Sequence, residues 1–311
     1  MAELQAFPID GIGEVVEGTD LAGLVAPHIA DGDVVVVTSK VVSKAEGRVV
    51  VTDREQAIRD ETVRVVARRG ATSIVESRIG VVLAAAGVDA SNVTPGSVVL
   101  LPVDPDASAR RLRESLQERT GLNVAVLVSD TVGRVWRHGQ TDLAIGAAGL
   151  LPLESFEGRT DGYGNPLAVT APAVADEIAG IAEVASGKLG NRPVVVVRGL
   201  ADRVLPVLEH GPGARVLVRG PAEDMFGLGS REAVVAALSG RDRSAFGAPA
   251  SPDDLVRALG ECGLVAAEID ERVHVDADVD DQRVVVLAFA HGWAVAGDVS
   301  AGSATVLVAL S

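Results

Sequence analysis

The chain is poor in aromatic side chains, carries one cysteine, and has three lysines among its 28 basic residues. Each scarcity excludes something. Aromatics make up 3% of 311 residues while hydrophobic residues make up 48%, so the core must be built from Val, Leu, Ile and Ala. Such a composition suits Val-rich buried strands of an α/β or α+β protein. The single cysteine, Cys262, excludes an internal disulfide framework and a cysteine-cluster metal site, and reads as a buried small hydrophobe. No G-x-x-x-x-G-K-[ST] motif is present, because Gly187-Lys188 is followed by Leu189. Gly11-Ile12-Gly13-Glu14-Val15-Val16 lacks the third glycine of a dinucleotide loop. A Walker NTPase and a Rossmann dehydrogenase are therefore disfavoured. There is no G-x-S-x-G elbow, and the five histidines show no metal-ligand spacing.

Positive charge is short as well. A formal charge of −15 argues against a nucleic-acid surface, which needs a basic stripe to displace counterions. An anionic substrate must then be drawn to a local cationic pocket against the field of the whole protein. The opening MAELQAFPID has no basic segment followed by an apolar one, and the longest apolar stretch, Leu143 to Leu153, falls short of the ~20 residues of a membrane helix. The expectation is a cytoplasmic protein with neither a nucleic-acid nor a membrane partner.

At roughly 150 residues per domain the length predicts about two domains, drawn here as 1–240 and a small α+β unit, 241–311. Asp33 to Ser39 and Asn123 to Ser129 read as buried strands, as does Val194 to Val197. Ser73 to Glu76 and Gly80 to Ala86 are further strand candidates. Asp53 to Arg69 reads as an amphipathic helix, and Asp104-Pro105 opens a helix to about Arg119, with aspartate as N-cap and proline at the first helical position. Ala173 to Gly187, Ser230 to Leu238 and the segment opened by Ser251-Pro252 are also predicted helical. Arg283 to Phe289, Trp293 to Ala296 and Thr305 to Leu310 are predicted strands.

The chemistry gathers at strand ends. Ser39-Lys40-Val41-Val42-Ser43-Lys44-Ala45-Glu46-Gly47 puts two lysines and two serines just beyond a hydrophobic strand, where ammoniums and hydroxyls can converge on phosphate oxygens. An exposed loop with solvated lysines is the plainer alternative. Lys188 sits in another Gly/Ser segment, with a chance scatter of lysines in an arginine-rich chain as the plainer alternative. Asp89 and Asp130, each in a turn after a Val-rich run, are candidates to share a divalent cation, since Mg²⁺ and Mn²⁺ take oxygen ligands. Turn or cap roles would also suit either aspartate.

Seven segments occur in order: SKVVSKAEGR (39–48), AGVDASNV (86–93), LPVDPDASA (101–109), SDTVGRVWRHGQTDLAIGAAG (129–149), DGYGNPL (161–167), AVADEIA (173–179) and PVVVVRGL (193–200). Together they resemble the coenzyme F420-0:L-glutamate ligase (CofE) family over about residues 5–230. The resemblance implies a mixed-sheet α/β (α+β) fold of that type, a homodimer, and GTP-dependent ligation of L-glutamate to the lactyl-phosphate-linked deazaflavin F420-0. It implies Mg²⁺ or Mn²⁺, with K⁺ a further candidate cation. GTP contacts are implied at Ile12, Gly13, Glu14, Val15, Ser39, Lys40, Lys44 and Asn92, and along Ser186, Gly187, Lys188, Leu189, Gly190 and Asn191. Asp89 and Asp130 are implied as ligands of one metal and Thr131 of a second, with Lys40, Lys44 and Asp130 in catalytic roles. Lys188 departs from the pattern, standing where archaeal members have a metal-binding glutamate, so a single metal is the expectation. Two-domain relatives continue into a flavin-binding domain. The C-terminal remainder here is too short for one, and no flavin is expected. A homologous amide ligase acting on another carboxylate or amino acid, and a non-catalytic nucleotide-binding module, are the alternatives.

Overall fold

Runs of consecutive valine with no polar alternation need burial on both faces, and here they form a sheet covered on each side. The computed structural model describes residues 3–220, 223–296 and 305–310. The chain divides into two compact units, Met1–Val218 and Arg219–Ser311. The first holds β1 (Gln5–Pro8), α1 (Leu21–Val25), β2 (Val34–Thr38), α2 (Ser39–Ala45), β3 (Val49–Val51), α3 (Arg54–Glu61), β4 (Thr62–Arg69), β5 (Thr72–Ser77) and β6 (Val82–Ala84). It continues with β7 (Ser97–Val99), α4 (Pro105–Thr120), β8 (Ala125–Gly133), β9 (Gln140–Ala148), α5 (Val174–Ser186) and β10 (Val194–Arg198).

The central sheet has the order β1-β10-β2-β8-β9, with β2 and β8 parallel and the other pairs antiparallel. Alternate residues take opposite faces, as the pleat requires. Val35, Val37, Val126, Val128 and Val196 pack with Ala109, Leu112 and Leu116 of α4. Val34, Val36, Leu127, Val195 and Val197 pack with Ala175, Ile178 and Ala182 of α5. The mixed α/β class expected from the sequence is the one observed. Helix α4 starts as predicted, with Asp104 accepting a hydrogen bond from the Ala107 amide and Pro105 in the first turn, and it ends at Gly121 with φ 73°. It crosses β9 at Gly146, where a Cβ would come within 2.3 Å of the Pro105 carbonyl oxygen. Only glycine admits that approach.

The structure corrects several expectations. Ser39–Ala45 is a short helix directly after β2 rather than a loop. Only the first half of 53–69 is helical: α3 ends at Glu61, and Thr62–Arg69 pairs antiparallel with β5, its burial alternating along the β-branched Thr62, Val63, Val65 and Val66. The segment from Gln140 to Ala148, which overlaps the apolar stretch Leu143 to Leu153 and for which the sequence predicts no element, is the edge strand β9.

The second unit contains α6 (Ser230–Ser239), α7 (Pro252–Glu261), β11 (Ala266–Ile269), β12 (Arg272–Val275), α8 (Gln282–Ala290), β13 (Trp293–Val295) and β14 (Thr305–Ala309). Its antiparallel sheet has the order β11-β12-β14-β13 around a core of Leu255, Leu259, Val273, Val275, Val284, Trp293 and Leu307. Residues 283–289 are helical, not extended: Asp281 accepts from the Arg283 amide, and Val284 and Ala288 are buried one turn apart. Cys262 is exposed rather than buried, because it caps the C-terminal end of α7. The two units divide between Val218 and Arg219, not at residue 240, since α6 packs with α8. No helix among the described residues is long and apolar enough to cross a membrane.

Candidate active site

In an α/β sheet the carboxyl ends of parallel strands leave a crevice that loops and helix starts can furnish with polar groups. The parallel pair β2 and β8 ends here at Thr38 beside Ser129, with Ser39 and Asp130 one residue further on. A cleft of about 1220 Å³ opens there. It is lined by all but one of the expected site residues: Ile12, Gly13, Glu14, Val15, Ser39, Lys40, Lys44, Asp89, Asn92, Asp130, Thr131, Ser186, Gly187, Lys188, Gly190 and Asn191. Leu189 is outside the lining and 95% exposed, so the structure does not bring it to the cleft.

The helical conformation of α2 explains the paired lysines. Lys40 and Lys44 are four residues apart and so lie on one helix face, which is the cleft face. Lys40 Nζ lies 2.5 Å from Asp89 Oδ2 and donates to Ser91 Oγ at 2.7 Å. Lys44 is buried, and its Nζ reaches Glu14 Oε1 at 2.6 Å, tying α2 to the N-terminal segment. That segment turns on Gly11 and Gly13, both at positive φ, and is anchored by buried Ile12 and Val15. Asp89 is fixed in its turn by the Ser91 amide at 2.7 Å and the Ser91 hydroxyl at 3.0 Å. Burial pushes the Asp89 carboxyl up, but Lys40 and Ser91 outweigh it and hold the group below its ordinary value.

Asp130 is the opposite case. Burial, joined by the charges of Asp142 and Asp89 and opposed by the hydrogen bond from Ser39, pushes its carboxyl up to about 6. Ser39 Oγ donates to Asp130 Oδ1 at 2.8 Å. Asp142, 3% exposed on β9, accepts from Ser129 Oγ and Thr131 Oγ1, each at 2.8 Å. Lys188 Nζ donates to Thr131 Oγ1 at 3.0 Å and lies 3.5 Å from Glu183 Oε1. Asp89, Asp130, Asp142 and Glu183 thus gather with several hydroxyls where β2 ends beside β8.

These are hard oxygen donors, and an under-compensated, half-buried carboxylate facing an open cleft suits a small divalent cation. No group of three His, Cys, Asp or Glu among the described residues forms a ready cage. Mg²⁺ is commonly held by one or two carboxylates together with water and substrate phosphates, so Asp130 and Asp89 fit that mode without a cage. The cleft further presents Arg54, Gln140, Glu183 and Asp142, none of which the sequence singled out, and Arg192. Arg192 donates to the Ser186 carbonyl at 2.6 Å and keeps its buried Nε without a partner. The cations and carboxylates that line this cleft can receive a polyanion with its counter-cation.

Known proteins resemble the chain over this unit. The model of the F420-0:Gamma-glutamyl ligase family matches residues 11–199, which includes every site residue named above. The Coenzyme F420:L-glutamate ligase of Archaeoglobus fulgidus is 40% identical over 220 residues, which cover 63% of this chain and 88% of that protein. The protein of the same name from Methanopyrus kandleri is 39% identical over 249 residues, covering 72% of this chain and 97% of its own length. A third, from Methanothermobacter thermautotrophicus, is 37% identical over 220 residues.

Proposed function

The chain belongs to the F420-0:gamma-glutamyl ligase family, and on that premise we propose that it joins L-glutamate to coenzyme F420-0 at the expense of GTP. The observation that best supports the reading is the convergence of Lys40, Lys44, Asp89 and Asp130 on one cleft at the carboxyl ends of β2 and β8.

In the proposed reaction a carboxylate oxygen of F420-0 attacks the γ-phosphorus of GTP, the bond to the β,γ-bridging oxygen breaks, and GDP leaves. The α-amine of glutamate then attacks the carbonyl carbon of the acyl phosphate, loses a proton and expels inorganic phosphate, leaving an amide. A second round through the γ-carboxylate of the added glutamate extends a γ-linked tail. Most of the work is positioning and charge stabilisation. Lys40 and Lys44 place compact ammoniums where charge shifts onto the leaving phosphate oxygens, and Asp89 and Glu14 orient them. The loop 186–192 supplies backbone groups and Arg192 to the nucleotide. Asp89 and Asp130 would hold Mg²⁺ or Mn²⁺, which when bound supplies counter-charge to the phosphates. Lys188, at Thr131, brings a positive charge to the place a second cation would take, so one metal per site is the reading favoured here. A homodimer is part of the same proposal.

Release of phosphate from GTP tests the reading. It should require both L-glutamate and F420-0; release indifferent to either would sink the ligase assignment.

A further inference from the structure

The acceptor of the proposed reaction is long: its reacting carboxylate is separated from the deazaflavin ring by a phosphodiester linker. The ring therefore needs a seat away from the metal ligands. Strand β8 leads from Asp130 to Gly133, about 10 Å at the usual strand rise. Gly133 and Gln140 still line the cleft, and the turn between them, residues 134–139, continues from its rim.

That turn is built unlike the rest of the surface. The chain has two tryptophans. Trp293 is 3% exposed in the second unit, whereas Trp136 is 87% exposed at the tip of this turn, beside Val135 at 67%. Trp136 also holds φ at 59°, a left-handed backbone that bulky residues rarely adopt and that tends to persist at functional sites. Arg134 closes the turn by donating to the His138 carbonyl at 3.2 Å, and Gly139 supplies a second positive φ. The segment Gly133-Arg134-Val135-Trp136-Arg137-His138-Gly139-Gln140 has two arginines, a histidine and no carboxylate, in a chain of net charge −15. Among the described residues neither Arg134 nor Arg137 forms an ion pair. Local cationic surface of this kind is where an anion can approach an acidic protein.

We propose that the β8–β9 turn is the acceptor subsite: Trp136 stacks on the planar ring of the deazaflavin, and Arg134 and Arg137 take its phosphodiester. The assignment rests on the ligase reading for the identity of the acceptor. A flat aromatic face and guanidinium planes recognise a ring and a phosphate by stacking and charge-assisted hydrogen bonding. The acceptor then lies along β8 with its carboxylate directed to the lysines and Asp130, and the nucleotide keeps the opposite side of the cleft.

The test uses the whole protein and F420-0. Titration of F420-0 without GTP should quench tryptophan emission saturably, and Trp136→Phe should remove that quenching, since Trp293 is buried and constant. In the ligation assay Trp136→Ala should raise the acceptor KM about tenfold or more, while GTP still raises the melting temperature as in the unaltered protein. Arg137→Gln should raise the same KM and weaken its salt dependence, and Trp136→Phe should recover part of the loss. An acceptor KM unchanged in both Trp136→Ala and Arg137→Gln overturns the subsite while leaving the ligase reading intact. Saturable quenching through Trp136 with no ligation product retains the subsite and rejects the reaction.

Discussion

Ser39 donates its hydroxyl to Asp130 at 2.8 Å, joining residues 91 positions apart across the ends of two parallel strands. Thr38 pairs with Ser129 one step earlier, so the contact follows from the β2–β8 register rather than from a flexible loop. The register places a helix start bearing two lysines beside the half-buried carboxylate of β8. The same strand carries the hydroxyls that Asp142 holds from β9.

Asp130→Asn separates function from stability. The carboxyl is raised from an ordinary 3.8 to about 6, first by burial. The folded chain therefore holds this proton more tightly than the unfolded one, so the group's favourable contribution is complete below about pH 4 and is lost as pH rises through about 6. At neutral pH the charged form costs up to about 3 kcal/mol. The neutral isostere should raise the melting temperature of the ligand-free protein and abolish turnover. Near-normal activity would remove Asp130 from the metal site.

Lys44→Met tests a buried lysine whose partner is not buried. Glu14 is 74% exposed and regains water when the ammonium is removed, so the usual penalty of a stranded charge does not arise. Stability should change by less than about 1 kcal/mol. The thermal stabilisation by GTP, by contrast, should fall sharply. A melting curve with and without GTP decides the matter, and retained GTP stabilisation would contradict the role given to Lys44.

Gly146→Ala should destabilise the first unit by about 1–3 kcal/mol, because a Cβ would meet the Pro105 carbonyl oxygen at 2.3 Å and α4 would have to move off β9. Chemical denaturation measures this, and an unchanged midpoint would show that the helix contact is looser than described.

How far the sequence announced all this depended on burial. Asp33–Ser39 and Val194–Val197 read plainly as strands because runs of valine signal cover on both faces. β9 was not, since its Gly and Ala side chains carry little strand propensity, and its place comes from pairing with β8. In α8, RVVVLAF looks extended, yet the Asp281 cap and a one-sided core make it helical. Lys40, Lys44, Asp89 and Asp130 are legible because each closely follows an apolar run, although Asp130 lies within β8 rather than in a turn after it. Asp142 could not, because it faces Thr131 only once the β8–β9 register is known. Arg54 and Glu183 reach the cleft through tertiary packing that no local pattern encodes.

Lys188→Glu addresses metal number. With Lys188 at 3.0 Å from the Thr131 hydroxyl, titration of Mn²⁺ into the GTP-bound protein should reveal one tight site per chain, and the glutamate variant should gain a second. Two equivalent tight sites in the unaltered protein would refute the single-metal reading.

The central claim is glutamate transfer, and the most direct measurement is mass spectrometry of F420-0 incubated with the protein, GTP, Mn²⁺ and L-glutamate. Products heavier by one or more glutamyl residues are expected, with one GDP and one phosphate formed per addition. Unchanged F420-0, in a protein that GTP still stabilises against heat, would contradict that claim and mark the cleft as a nucleotide-binding site without ligase chemistry.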